Sequence, residues 1–232
     1  IGAWQLGANS GMNHMSEAEA EALIDRAIAL GINFFDTAPN YGLGTSEIRL
    51  GNALKKYDRD QFVINTKFGH TVEGHLNFAS SYIRESLEGS LKRLQIDCID
   101  SLIIHNPPFE LLDGNKTDHY EILEDLVAEG KIKSYGASVD RYEEMQKILQ
   151  TTNSKVLEVF FNILHQDTAR GFQTAKENGV GIIVKIPLDS GWLTGKYRAD
   201  SDFTDIRSRW SKKDKEIRSA LVDQLRNLIS VE

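Results

Sequence analysis

Apolar residues recur along this chain in two rhythms that take turns. Ser16 and Glu19 form a capping box, and Ala20, Leu23, Ile24, Ala27 and Ile28 follow at helical spacing until Gly31, which predicts one amphipathic helix. Compact β-branched and aromatic runs at 32–35, 62–67, 98–105, 134–138, 156–161 and 181–186 read as strands. Residues 1–5 read as the remains of a first strand, making seven. Helices are predicted near 46–55 and 118–129. Others are marked by the stripe Ile83, Leu87, Leu91 and Leu94, by Tyr142, Met145, Ile148 and Leu149, and by Ala169, Phe172 and Ala175. A last helix carries Ile217, Leu221, Leu225 and Leu228. Thr45 or Ser46 is expected to cap the helix near 46–55, with Glu47 in its first turn favoured by the helix dipole.

This alternation, at a pitch of about 30 residues per unit, suits parallel strands buried on both faces. A doubly wound sheet and a (β/α)8 TIM barrel both produce it. Charged and polar residues recur at several strand ends (Asp36, Lys67, His105, Ser138 and Lys185), as a shared barrel mouth requires. No dinucleotide fingerprint follows the first strand. The nearest candidate, Gly42-Leu-Gly44-Thr-Ser-Glu47, has Glu where a third Gly belongs. The barrel is therefore the expectation, as a single domain over 1–232 that lacks its last strand–helix unit. The chain begins at Ile1 rather than Met. It is read as incomplete at both ends, with an eighth strand and helix expected after Glu232.

Composition narrows the function. The 232 residues are 41% hydrophobic, enough for one sizeable core. A net charge of −7 argues against a nucleic-acid partner, which needs clustered Lys and Arg. The one cysteine, Cys98, cannot staple a fold, so a cytoplasmic setting is expected. No apolar run is long enough to cross a bilayer. His70 and His75 flank Glu73, but not at a metal-binding spacing, so no metal is expected. His14, His119 and His165 have no evident partners. Trp4, Trp192 and Trp210 suit either a substrate pocket or packing.

The chemistry gathers at the strand ends. Asp36 closes one strand, and Tyr41 follows in a loop between Pro39 and Gly42; Lys67 and His105 end the next two. Each has an ordinary alternative: a turn cap for Asp36, a rim tyrosine, a snorkelling surface lysine, a satisfied core histidine. Their recurrence at three successive strand ends favours a common site. Lys67 and Lys185 also leave open a Schiff-base lyase, since a desolvated barrel lysine can attack a carbonyl.

The chain resembles the aldo-keto reductase family over nearly all its length. The resemblance rests on Phe35-Asp-Thr-Ala-Pro-Asn-Tyr-Gly42, Glu47-Ile-Arg-Leu-Gly51, Asn65-Thr-Lys-Phe-Gly69, Leu102-Ile-Ile-His-Asn106, Gly136-Ala-Ser138 and Pro187-Leu-Asp-Ser-Gly-Trp-Leu-Thr-Gly-Lys-Tyr197, in the family's order. It implies a (β/α)8 barrel that reduces aldehydes or ketones with a nicotinamide cofactor, usually NADPH, and leaves NADH open. It implies Tyr41 as general acid, with its pKa lowered by Lys67, Asp36 as the ion-pair partner of Lys67, and His105 orienting the carbonyl. For the cofactor it implies Gly2, Ala3, Trp4 and Asp36 on the nicotinamide side and Ser138 at the carboxamide. Glu158 stands at the family's strand-six amide and Lys185 at its stacking aromatic. Leu188, Ser190, Gly191, Leu193 and Lys196 match the loop around the pyrophosphate, where small residues let backbone N–H groups approach phosphate; Arg207 and Arg209 suit a phosphate, a substrate or plain basic surface. Val139, Glu158 and Lys185 depart from the family pattern, which keeps open a cofactor-binding regulatory subunit with little turnover. The implied partner is a small carbonyl compound.

Overall fold

The computed structural model describes residues 1–7 and 15–228; His14 lies outside them. Six strands, β1 (Phe34–Asp36), β2 (Val63–Phe68), β3 (Ser101–Ile104), β4 (Tyr135–Val139), β5 (Val156–Phe160) and β6 (Gly181–Lys185), form one sheet in sequential order with every neighbouring pair parallel. The helices are α1 (Glu17–Ala29), α2 (Thr45–Leu54), α3 (Tyr82–Leu94), α4 (His119–Ala128), α5 (Tyr142–Thr151), α6 (Phe172–Glu177) and α7 (Lys212–Leu228). A doubly wound sheet would reverse strand order at a switch point. Here the order never reverses, so the sheet is a six-stranded half-barrel, the geometry of a (β/α)8 barrel without its last units. Among the described residues β6 has β5 on one side and no strand on the other.

Local chemistry accounts for most of the elements. Ser16 accepts from Glu19 N at 3.3 Å while Glu19 accepts from Ser16 N at 2.8 Å, the capping box that starts α1. The α3 stripe Ile83, Leu87, Leu91 and Leu94 is buried, as are Ile24 of α1, Leu123 of α4, and Met145 and Ile148 of α5. Each fully buried aliphatic side chain contributes about 2 kcal/mol relative to exposure. These residues join Phe35, Ile64, Leu102, Ile104, Ala137 and Leu157 of the strands in one core cluster.

Several expectations need correction. Residues 1–5 form no strand: Gly2 makes a single parallel bridge to Asp36, Ile1 O accepts from Asp36 N at 2.8 Å, and Ala3–Leu6 winds into a 3-10 turn. The apolar residues there serve one face of a turn, with Ala3 and Leu6 buried. Ile32 is exposed and precedes β1. Neither Thr45 nor Ser46 caps α2. The cap is Gly44, in the left-handed region at φ 84°, while Thr45 Oγ1 donates to Gly42 O and Ser46 Oγ donates to Ala3 O. Glu47 is fully buried and accepts from Thr66 Oγ1 and from Arg93 Nε, each at 2.7 Å, so it joins α2 to β2 and α3.

Candidate active site

The C-terminal ends of the parallel strands bring the charged residues into one hollow. Asp36 closes β1, Lys67 is the penultimate residue of β2, and His105 follows β3 directly. Lys67 is 1% exposed. It donates through Nζ to Asp36 Oδ1 at 2.7 Å and to Thr37 O at 3.0 Å, and lies 3.4 Å from Glu158 Oε1. A snorkelling surface lysine is thereby ruled out. Asn65 shares the inward face of β2 with Lys67, two residues away, and donates to Asp36 Oδ1 at 2.6 Å. Asp36 is fixed from two sides rather than serving as a turn cap.

Tyr41 stands over this pair. The Lys67 Nζ lies 5.3 Å from its ring centroid, and the His105 ring meets it edge-on at 6.2 Å. The loop that holds Tyr41 is anchored by Tyr41 N on Ala38 O and by Ser46 N on Tyr41 O. Gly7 permits the N-terminal turn to press against it, since a Cβ there would sit 2.7 Å from Gly42 N. The His105 ring stacks on His70 at 4.2 Å, and its Nδ1 is buried with no hydrogen-bond partner. A histidine kept only for the core is normally satisfied; this one has a nitrogen left for something else.

The electrostatics follow from burial around two carboxylates and one ammonium. Burial works against the Lys67 ammonium, but Asp36, Tyr41 and Glu158 outweigh it and hold its pKa above the ordinary lysine value. Burial pushes the Asp36 carboxyl upward, Lys67 opposes that, and Glu158 adds to the rise. The Tyr41 phenol is pushed up to about 12, chiefly by burial; Lys67 pulls it down, and Asp36 and Glu158 oppose that pull. This reverses the lowered tyrosine expected from the Lys67 neighbour alone. His105 is pushed down to about 2 by burial, with Lys67, His70 and Lys185 also disfavouring its cation, so it is a neutral imidazole. A protonated phenol beside a held ammonium and a neutral imidazole can deliver a proton to an oxygen and stabilise the charge left behind.

A second cluster adjoins the first. Lys185, at the end of β6, donates to Ser138 Oγ at 2.7 Å and Asn106 Oδ1 at 2.8 Å and pairs with Asp140 at 2.7 Å. Ser138 Oγ also donates to Asn106 Oδ1 at 2.8 Å, so the strand ends of β4 and β6 are tied through the residue after His105. Gly2 lies beside Asp36 through its bridge, Trp4 is half-buried, and Ala3 is buried in the core. In the loop after β6, Ser190 and Gly191 hold φ of 55° and 100°. Leu188 and Lys196 are exposed, and Leu193 is half-buried. Arg207 is taken up by Asp205 and by Ser190 O. Arg209 donates to Ser190 Oγ at 3.3 Å, and neither it nor Lys196 has a carboxylate partner among the described ion pairs. That donor set, small residues with two uncommitted cations, fits a phosphate. Trp192 is fully buried among Tyr197, Phe203 and Trp210, which makes it a packing residue. A 330 Å³ cleft lined by Glu88, Leu91, Lys92 and Gln95 opens at the α3–β3 connection, at the other end of the strands.

Comparison with known proteins agrees with this fold. The Aldo/keto reductase family profile matches residues 1–231. The chain belongs to the aldo/keto reductase family. It is 32% identical over 220 residues to the NADH-specific methylglyoxal reductase of Escherichia coli K12, covering 86% of this chain and 66% of that protein. The glycerol dehydrogenase of Gluconobacter oxydans superposes with a TM-score of 0.80 at 26% identity, over 99% of this chain and 73% of that one. An aldo-keto reductase from Klebsiella pneumoniae, solved with NADPH, superposes with a TM-score of 0.64 at 25% identity, over 84% of this chain and 64% of that one. The chain spans between 62% and 66% of the length of the curated relatives it matches. Among the described residues no helix is long and apolar enough to cross a membrane.

The residues to which sequence reasoning gave no part in this site are Asn65, Asn106, Asp140 and His70, the last weighed only as a metal ligand. Asn65 had a signal, since it shares strand parity with Lys67. Asn106 follows the end of β3 by two residues and Asp140 the end of β4 by one, and both were within reach of the same argument. The stacking of His70 on His105 crosses between two loops and had none.

Proposed function

We propose that this member of the aldo/keto reductase family is an NADPH-dependent reductase of small aldehydes or ketones. The observation that carries the reading is the buried Lys67–Asp36 ion pair under Tyr41, with the unpartnered His105 nitrogen beside it. NADPH, when bound, supplies the hydride that reduces the carbonyl carbon. Tyr41 Oη gives its proton to the carbonyl oxygen. Lys67 stabilises the phenolate that remains, and Asp36, anchored by Asn65, keeps Lys67 in place. His105, neutral, uses its imidazole to orient the carbonyl oxygen. Ser138 and Asn106 would hold the nicotinamide amide, with Gly2 and Trp4 on the other side of the ring, while Ala3 is taken up by the core; Leu188, Ser190, Gly191, Leu193, Lys196 and Arg209 would hold the phosphates.

A lyase through a Schiff base at Lys67 fits poorly. That chemistry needs a neutral amine, and the charges around Lys67 keep it protonated. The regulatory-subunit reading predicts NADPH binding without turnover and is separated by the same experiment.

The test follows NADPH absorbance with an activated aromatic aldehyde, using the full-length protein beside Tyr41→Phe. The wild type is expected to oxidise NADPH, and the variant to lose at least about 100-fold in rate, the usual share of a general acid. Binding without turnover in the wild type would overturn the enzyme reading. NADH is run in parallel, because the Escherichia coli relative is named for it; a preference for NADH would overturn only the cofactor assignment.

A further inference from the structure

The mechanism above uses Asp36 as the counter-ion of Lys67 and leaves a second carboxylate without a part. Glu158, in the middle of β5, is 4% exposed, and its Oε1 lies 3.4 Å from Lys67 Nζ. Lys67 is the one cation within ion-pair reach of Glu158 among the described residues. One ammonium therefore serves two buried carboxylates, and a carboxylate is retained in a dry site only when paired.

We propose that Glu158 is a positioning residue for the proton donor: its carboxylate shares the Lys67 ammonium with Asp36, and so weakens the hold of Lys67 on a Tyr41 phenolate. This rests on Tyr41 being the donor of the proposed reductase. The charged and titratable groups that act on Tyr41 are Asp36 from the end of β1, Lys67 from β2 and Glu158 from the middle of β5, with the His105 ring against it from the loop after β3; His70 and Lys185 lie beyond, acting on His105. His105 is neutral, and Lys185 is paired with Asp140. Burial favours the phenol; among the charges Lys67 stands against Asp36 and Glu158, and Glu158 adds to the side of the protonated phenol. Reduction, which begins from the phenol, keeps its donor loaded. Alcohol oxidation, which needs the phenolate as base, is pushed to alkaline pH.

The experiment is an ultraviolet difference titration of tyrosinate that requires no turnover. The Tyr41 signal is the wild-type curve minus the Tyr41→Phe curve, and the same subtraction is made in the Glu158→Gln background. In Glu158→Gln the Tyr41 titration is expected about one pH unit lower, the usual effect of one nearby charge, and the alkaline rise of alcohol oxidation should move with it. Glu158→Asp keeps the charge but draws it back from Lys67, so it should shift the same way by less, and it carries the test if the Gln variant does not fold. An unmoved titration, or equal shifts in both variants, would overturn the proposal. So would a Glu158→Gln whose only change is a raised KM for NADPH, which would assign the residue to the cofactor. A wild type that never turns over would sink the reductase reading yet leave the tyrosinate result standing.

Discussion

At the scale of single residues, the proposed proton donor and the histidine beside it have pKa values displaced to opposite sides of the physiological range. Tyr41 is pushed up to about 12 and His105 down to about 2, each chiefly by burial. Neither changes charge between them, so carbonyl reduction should hold a flat kcat/KM from about pH 5 to about pH 9. Oxidation of the alcohol should instead climb with pH throughout, since it waits on the phenolate. A pH profile in both directions checks this. An acid limb near the ordinary histidine value would mean that His105 carries a proton, and the neutral-imidazole account would fall. That Asp36, Lys67 and His105 stand at the ends of successive strands was legible in the sequence, because a polar residue that ends an apolar run is conspicuous. The direction of the Tyr41 shift was not. It depends first on burial, which no local pattern reports, and then on the carboxylates of Asp36 and Glu158, the second of which suggested a cofactor contact by its position.

At the scale of elements, the strands read well and their margins less so. A run such as 134–138 announces β4 through its composition. The start of α2 at Gly44 depends on a left-handed backbone turn, and the Ser46 hydroxyl, expected as its cap, is drawn away to Ala3 O, 43 residues back in the chain. Long-range partners of that kind decide where elements end. They also fix how closely elements approach. Gly136 of β4 pairs with Val156 of β5, and a Cβ added there would lie 1.6 Å from Val156 O. Gly136→Ala must therefore push β5 away, and with it the Ser138–Glu158 register that aligns both polar clusters. The expected cost is about 3 kcal/mol, read as a lower urea midpoint, together with weaker NADPH binding. An unchanged midpoint would mean that the β4–β5 ladder has slack where the contact leaves none.

At the scale of the whole molecule, the site depends on curvature. Asp36 lies on β1, Lys67 on β2 and Glu158 on β5. In a flat sheet β2 and β5 would stand three strand spacings apart, about 14 Å, yet Lys67 reaches Glu158 at 3.4 Å and Asp36 at 2.7 Å. Only a sheet curled around its own interior allows both, and that interior then holds two carboxylates and one ammonium away from water. The sequence showed the repeat of units and the strand-end charges, but not which charges would face each other across the hollow. Lys67→Met makes the consequence measurable. It leaves Asp36 and Glu158 buried without their cation, a change that costs about 3 to 5 kcal/mol when a buried pair is broken. The loss should depend on pH with a definite sign. Burial already raises the Asp36 carboxyl against the pull of Lys67, so without Lys67 the native state holds a proton there that the unfolded chain has released, and stability falls as pH rises through that window. The gap between wild type and variant should therefore be large in urea unfolding at about pH 8 and narrower at about pH 5, where the pair can share a proton. An equal gap at both would show that Lys67 contributes by filling space, and that the charges across the hollow carry no net weight in holding the half-barrel together.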